Sequence, residues 1–170
     1  MKTMIVYSSK TGNTKKVAEA IYNVMPETAD IFSVDENPDY SQYDVIFLGG
    51  WVDKGLIDKK AMAYLENIKN KKIAYFITIG AYPDSNHAKD VLKRTTEMVS
   101  KENEFLGNFI CHGKIDPNLR KMFESFPPDH PHAMNEERKK RHEIASKHPD
   151  EQDLLNAQKT FLEILENIKS

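Results

Sequence analysis

The stretch Ser8-Ser9-Lys10-Thr11-Gly12-Asn13-Thr14 decides the fold prediction. It follows a short apolar run at residues 4–7, typical of a buried strand, and it precedes the periodic pattern of a helix. The first N–H groups of a helix have no partner within the helix, and the helix dipole favours an anion there. The glycine permits close approach of a ligand, and the hydroxyl groups of Ser9, Thr11 and Thr14 can donate hydrogen bonds. The stretch contains one lysine, so it predicts a site for a phosphate monoester bound chiefly by neutral donors.

The same stretch also permits a simpler interpretation, a Ser/Thr-rich turn whose side chains cap the helix and bind no ligand. Its position after the first strand favours the ligand site, because α/β sheets bind ligands at the carboxyl ends of their strands. The sequence has neither the G-x-x-x-x-G-K-[ST] loop of nucleoside triphosphate sites nor the G-x-G-x-x-G turn of dinucleotide sites.

The composition limits the class of protein. A length of 170 residues predicts one domain spanning residues 1–170. A net charge of −2 and a pI near 6.3 give no reason to expect nucleic acid or an anionic membrane as a partner. No apolar run is long enough to span a bilayer, and residues 1–3 lead directly into the first strand rather than into a signal sequence. Because the single Cys111 fits a reducing compartment, we expect a cytoplasmic protein. We further expect a monomer or a weak dimer.

Apolar runs and helical patterns alternate along the chain. Helices are indicated between the strands, with Asp58 as one N-cap, Asp84 or Ser85 as another, and a last helix over residues 150–169. The predicted strands are residues 4–7, 29–34, 44–48, 73–79 and 105–111. This alternation predicts an α/β fold, a doubly wound five-stranded parallel sheet of order 2-1-3-4-5.

A segment of about forty residues, 112–149, separates the last predicted strand from the closing helix, where a short loop would suffice. Asp116-Pro117 predicts the start of one extra helix, and Asn135 predicts the start of a second that contains the cationic run Arg138-Lys139-Lys140-Arg141. We expect this helical insertion to lie at the rim of the ligand crevice and to shape partner access. The alternative is a helical cover over the sheet without that role.

Two further loops follow the third and fourth predicted strands. The first, residues 49–55, contains the single tryptophan, Trp51, and the second, residues 78–85, contains Tyr82. In the predicted strand order these loops and the phosphate loop converge on one crevice. A flat aromatic ring that carries a phosphate is the ligand that would contact all three loops. Two alternatives remain for the aromatic side chains: Trp51 as part of the core, and Tyr82 packed only against its own turn.

At this point the chain resembles the flavodoxin family, whose S/T-x-T-G-N/Q-T phosphate loop matches Ser9 to Thr14. The resemblance covers residues 3–111 and the closing helix. The Gly-Gly-Trp loop and the long insertion resemble those of a subgroup of flavodoxin-like proteins, and some members of that subgroup accompany reductases. It implies FMN, with its phosphate on residues 9–14 and its isoalloxazine ring between residues 50–55 and 79–84. The implied cofactor-binding residues are Ser9, Lys10, Thr11, Gly12, Asn13, Thr14, Gly50, Trp51, Val52, Asp53, Lys54, Gly55, Thr78, Ile79, Gly80, Ala81, Tyr82 and Pro83.

These observations predict an FMN-binding electron-transfer protein that serves a partner reductase, a redox carrier rather than a stand-alone enzyme. The alternatives are an FMN-dependent oxidoreductase acting on a small substrate such as a quinone, and a flavin-free interaction module. Lys10 and Lys54 depart from the neutral or acidic residues that electron-carrying flavodoxins usually have in these loops. We expect no catalytic acid–base pair and no metal site, since the histidines of the insertion lack metal-ligand spacing.

Overall fold

The computed structural model describes all 170 residues. The strands are β1 (Thr3–Tyr7), β2 (Ala29–Ser33), β3 (Val45–Asp53), β4 (Leu56–Ile57), β5 (Lys72–Ile79) and β6 (Glu104–His112). The α-helices are α1 (Asn13–Tyr22), α2 (Lys59–Glu66), α3 (Asn86–Val99), α4 (Pro117–Ser125), α5 (Glu136–Ala145) and α6 (Glu151–Lys169). A short 3-10 helix occupies Val34–Glu36.

The five long strands form one parallel sheet in the order β2-β1-β3-β5-β6. The two-residue strand β4 lies off this path and pairs antiparallel with the end of β3. When only the long strands are counted, the order is 2-1-3-4-5, so the predicted fold class and strand order are confirmed.

Apolar residues cover both faces of the sheet, because successive side chains of a strand point to opposite faces. On one face Met4, Leu48 and Tyr75 pack with helices α2 and α3. On the other face Phe47 and Phe76 pack against Phe161 of α6, with ring centroids 4.6 and 5.7 Å away. The sheet is therefore packed between two helical layers, and its carboxyl edge positions the site.

Helix starts follow the predicted caps, with one informative exception. The side chains of the N-cap residues of α2 to α6 each accept a hydrogen bond from a backbone N–H group. These residues are Asp58, Ser85, Asp116, Asn135 and Asp150. Helix α1 instead begins after Gly12, which has a φ of 98° and no side chain to cap the helix. The first two N–H groups of α1, those of Asn13 and Thr14, thus remain available to another partner.

The predicted loop at residues 49–55 is largely strand, which corrects that boundary. Strand β3 continues to Asp53, and a two-residue turn at Lys54 and Gly55, both with positive φ, leads into β4. A Cβ atom at Gly49 would lie 2.2 Å from the Phe76 ring, and one at Gly50 would lie 2.5 Å from Ile57. These two glycines are therefore required by packing within the sheet.

The insertion between β6 and α6 forms helices α4 and α5. Helix α4 has no buried residue, and its Leu119 and Met122 side chains are 40% and 47% exposed. Its Phe123 ring lies beside the ring of His142 on α5, with centroids 6.2 Å apart. His142 is buried, and neither of its ring nitrogens has a hydrogen-bond partner. The two helices therefore pack around the His142 ring, and Arg141 of α5 also has a buried Nε atom without a partner.

None of the helices combines the length and the apolar character needed to cross a membrane.

Candidate functional site

The three predicted loops meet at the carboxyl edge of the sheet, and Thr14 connects them. Its buried hydroxyl group lies 2.9 Å from the Thr78 hydroxyl of β5 and 3.3 Å from the Gly50 carbonyl oxygen of β3. Because a hydroxyl group both donates and accepts, Thr14 can satisfy both contacts at once. The start of α1 and the ends of β3 and β5 therefore converge at one point, as the strand order predicts.

The loop over residues 9–14 forms a cradle of backbone donors. The N–H groups of Lys10, Thr11, Asn13 and Thr14 donate to no acceptor within the protein. Ser9 instead closes the turn, since its hydroxyl oxygen accepts from the N–H groups of Gly12 and Lys15 at 3.2 Å each.

The shape of this cradle fits a phosphate group. Gly12 has the left-handed backbone that glycine favours, and no atom lies within 4 Å of the position a Cβ would take. The side chain of Thr11 is exposed, and its hydroxyl group has no protein partner. Unpartnered N–H groups at a helix N-terminus bind anions, so the donor set suits the phosphate of FMN.

Trp51 is held by Asp58, a residue that the sequence indicated only as a helix cap. The Asp58 carboxylate accepts from the Trp51 N–H group at 3.0 Å and from the Ser8 hydroxyl at 2.6 Å. In return the Asp58 N–H group donates to the Trp51 carbonyl oxygen at 2.8 Å. The Trp51 backbone is therefore fixed, while its side chain is only half-buried.

The loop after β5 is oriented by His112, at the end of β6. The His112 Nε2–H group donates to the Gly80 carbonyl oxygen at 3.0 Å, and the Tyr82 ring centroid lies 5.6 Å from the His112 ring. Burial lowers the pKa of His112 below its usual value, which the Gly80 contact partly opposes. Since a trans peptide directs its C=O and N–H groups oppositely, the Ala81 N–H group points away from His112. That N–H group has no protein acceptor.

The start of the insertion lies along the phosphate loop. The Asn13 side-chain amide donates to the Lys114 carbonyl oxygen at 2.7 Å, and the Lys10 ammonium lies 3.0 Å from the Asp116 carboxylate. A Cβ atom at Gly80 would lie 3.1 Å from the Ile115 side chain. The insertion therefore begins at the same edge of the sheet as the loop 79–84, beside both predicted binding loops.

Part of the predicted residue set lies away from the phosphate loop. Residues 52–55 form the β3–β4 hairpin, and its tip is attached to α3, because Arg94 donates to the Gly55 carbonyl oxygen at 3.1 Å. Ile79 is buried, and its carbonyl oxygen accepts from the Gly113 N–H group at 2.9 Å. Pro83 is half-buried beside the exposed Tyr82. The structure therefore attaches these positions to α3 and to the end of β6, and their predicted contact with a ring stays a prediction.

A second group of polar side chains lies at the start of α6. The ligand atoms of His148, Asp150 and Asp153 lie within 4.8 Å of one another. Asp153 already accepts from His148 at 2.6 Å and from the Asp150 N–H group at 2.9 Å, as part of a reciprocal cap. The helix start accounts for this arrangement.

The fold and the site together define a flavodoxin-like protein. A model of the flavodoxin domain family matches residues 4–162, so the chain belongs to that family and the resemblance is confirmed. The flavodoxin-like domain-containing protein BilS of Clostridioides difficile is 42% identical over 164 residues, which cover 92% of each chain.

Solved structures agree on the fold. Oxidised flavodoxin 2 from Bacillus cereus aligns with a TM-score of 0.59 at 18% identity, covering 98% of this chain and 99% of that one. A flavoprotein from Lactobacillus acidophilus, solved in complex with FMN, aligns with a TM-score of 0.53 at 20% identity, covering 64% and 92%.

Proposed function

We propose that this protein binds FMN and carries electrons for a partner reductase. The observation that supports the proposal most is the donor cradle of residues 9–14. Its four unpartnered N–H groups surround a left-handed Gly12 at the one α-helix without a side-chain cap. The flavoprotein of the same fold from Lactobacillus acidophilus was solved with FMN, which agrees with this choice of ligand.

Each part of the crevice has a role in this proposal. The N–H groups of residues 10, 11, 13 and 14 and the Thr11 hydroxyl group hold the phosphate. Trp51 and Tyr82 flank the isoalloxazine ring, and the Ala81 N–H group donates to the edge of the ring. When bound, the flavin supplies the one- or two-electron chemistry, and the protein's charges and stacking set how readily it is reduced.

A carrier role fits the side chains at the crevice better than a stand-alone catalyst. His112 packs against the loop after β5, and it is buried with its Nε2–H group occupied by Gly80. Asp58 is likewise buried and engaged by donors from Ser8, Trp51 and Ala61. Neither group is free to exchange protons with a substrate, which favours a carrier role in this proposal.

The partner surface in this proposal is the insertion. Within the cationic run, Arg138 donates to the carbonyl oxygens of Pro131 and Ala133, and Lys139 pairs with Glu136 at 3.5 Å. Lys140 on α5 and Lys121 on α4 are exposed and have no acidic partner. Leu119 and Met122 of α4 are also exposed, so the insertion offers exposed apolar side chains and unpaired cations, which suit an acidic protein surface.

The test begins with the flavin content and redox behaviour of the purified protein. We expect the two absorbance bands of oxidised flavin, release of FMN on denaturation, and stepwise bleaching during reductive titration. With NADPH and a quinone but no partner protein, we expect no sustained turnover. A colourless protein that takes up no added FMN would overturn the flavin proposal, and steady turnover without a partner would overturn the carrier role.

A further inference from the structure

Lys10 is the one cation in the phosphate loop, and the structure places it between two neighbours. Its ammonium group lies 3.0 Å from the Asp116 carboxylate and 5.7 Å from the centroid of the Trp51 ring. The Lys10 side chain is 60% exposed, whereas that of Asp116 is 14% exposed. The exposed lysine therefore has room to change partners, whereas Asp116 is largely enclosed.

Asp116 belongs to the insertion rather than to the phosphate loop. Its carboxylate caps α4 by accepting from the Asn118 N–H group at 2.9 Å. That hydrogen bond and the nearby Lys10 hold the pKa of Asp116 below its usual value, so the residue is ionised at neutral pH. A negative charge is thus anchored within one side chain's reach of the donor cradle.

We propose that Asp116 sets how tightly the loop 9–14 binds a phosphate monoester, by competing with the phosphate for Lys10. The inference rests on the proposed phosphate site and adds a residue outside that site which controls its affinity. A phosphate in the cradle carries up to two negative charges, and it attracts the ammonium group that Asp116 otherwise holds. The free energy of attraction between Lys10 and Asp116 must then be given up when the phosphate binds, so it lowers the affinity for the phosphate.

The proposal also couples the ligand to the insertion. A second contact, from Asn13 to the Lys114 carbonyl oxygen, connects the same loop to the same segment. A phosphate that draws Lys10 away breaks the ion pair that Lys10 makes with Asp116 at the start of α4. Because linkage is reciprocal, a partner that moves α4 changes the affinity for phosphate. Asp116 is thus a positioning residue that acts through Lys10.

A double-mutant cycle tests the competition. Asp116→Asn removes the charge but retains the helix cap, since Asn caps as well as Asp. We expect this variant to bind FMN about two- to fivefold more tightly than the native protein, the range an exposed ion pair supplies. Riboflavin affinity should not change. In the Lys10→Met background, the effect of Asp116→Asn on FMN should disappear.

A second readout uses the apoprotein and inorganic phosphate. Trp51 is the single tryptophan, so a shift of Lys10 from its ring should change the fluorescence of the protein. We expect phosphate to change Trp51 emission at lower concentration in Asp116→Asn than in the native protein, and to have no effect in Lys10→Met. The matched controls are Asp129→Asn, an exposed acid of the insertion, and Lys15→Met, an exposed lysine of α1.

Two results would overturn the inference. Equal FMN-to-riboflavin affinity ratios in the native protein and Asp116→Asn would show that Asp116 does not compete for Lys10. The same gain in both Lys10 backgrounds would assign the effect to general repulsion by Asp116. If the native protein itself shows no preference for FMN over riboflavin, the phosphate site fails and the inference fails with it.

Discussion

The hydroxyl groups of Thr14 and Thr78 lie 2.9 Å apart, joining the first turn of helix α1 to the end of strand β5. Thr14 is buried, whereas Thr11, three residues earlier in the same motif, is exposed and has no protein partner. Two threonines of the loop that is proposed to bind phosphate therefore differ in their contacts. Thr14 connects α1 to the ends of β3 and β5, and Thr11 is free to contact a ligand.

Substitution by alanine should separate these tasks. Thr11→Ala should weaken FMN binding by about 1–3 kcal/mol, because a charged acceptor loses one donor, and should leave riboflavin binding and stability unchanged. Thr14→Ala should lower the free energy of unfolding by about 1–3 kcal/mol, because the Gly50 carbonyl oxygen loses a buried partner. Urea denaturation and titration with both flavins measure these effects. A Thr14→Ala variant with native stability and a loss confined to FMN would contradict the assignment.

Trp51 should contact the isoalloxazine ring, because its backbone is fixed by Asp58 while its side chain is half-buried. Trp51→Ala should reduce the affinity for FMN and for riboflavin alike, by about 0.5–1.5 kcal/mol for the stacking beyond area burial. Flavin fluorescence that the native protein quenches should return. An unchanged dissociation constant together with lowered stability would instead place Trp51 in the core.

His142 should make stability fall in mildly acidic solution. Burial is the main cause that lowers the pKa of His142, and the nearby Arg141, Arg120 and Arg138 lower it further, against a smaller opposing effect of Glu124. The unfolded chain, with a His pKa of about 6.5, then binds the proton more readily than the folded chain. Stability should therefore decrease as the pH falls below about 6.5, and level off below the folded-state pKa.

The measurement is chemical denaturation between about pH 7.5 and pH 5. His142→Leu should flatten this dependence, although the lowered pKa of His112 leaves a part of it in place. His87→Gln, at an exposed histidine, is the control and should change nothing. If His142→Leu and the native protein lose stability in parallel, the insertion core does not carry the pH dependence.

Charge reversal on the insertion should slow electron transfer without affecting the flavin. Lys121→Glu combined with Lys140→Glu should reduce the rate with the purified partner reductase, most strongly at low salt, since screening at physiological ionic strength acts over about 8 Å. The flavin spectrum and FMN affinity should stay the same. Lys101→Glu, at the opposite edge of the sheet, is the matched control. Normal transfer by the double variant at low salt would exclude this surface as the docking site.

The sequence was sufficient for the fold because its signals are local. Continuous apolar runs marked the five long strands, and polar caps such as Asp58 and Ser85 marked the helix starts that the structure confirms. The error at residues 49–55 has a physical reason. Gly49 and Gly50 suggest a loop, whereas they lie in β3 and pair with β5, and they are glycines because Phe76 and Ile57 leave no room for a larger side chain.

The site was less accessible to sequence reasoning, because its supporting contacts join residues far apart in the chain. Nothing local to Asp58 indicates that it holds Ser8 and Trp51, and nothing local to His112 indicates its hydrogen bond to Gly80. The pairing of Lys10 with Asp116 spans more than a hundred residues in the same way. Such contacts form only where the folded strand order brings distant residues together at the carboxyl edge of the sheet, so local sequence patterns do not predict them.

The most direct test of the account is the affinity of the apoprotein for FMN compared with riboflavin, measured by fluorescence titration at fixed salt. The two ligands differ only in the phosphate that residues 9–14 are proposed to hold. Several charge-assisted hydrogen bonds from the cradle predict one FMN per chain, bound at least about a hundredfold more tightly than riboflavin. Equal affinities, or no binding of either flavin, would contradict the central claim.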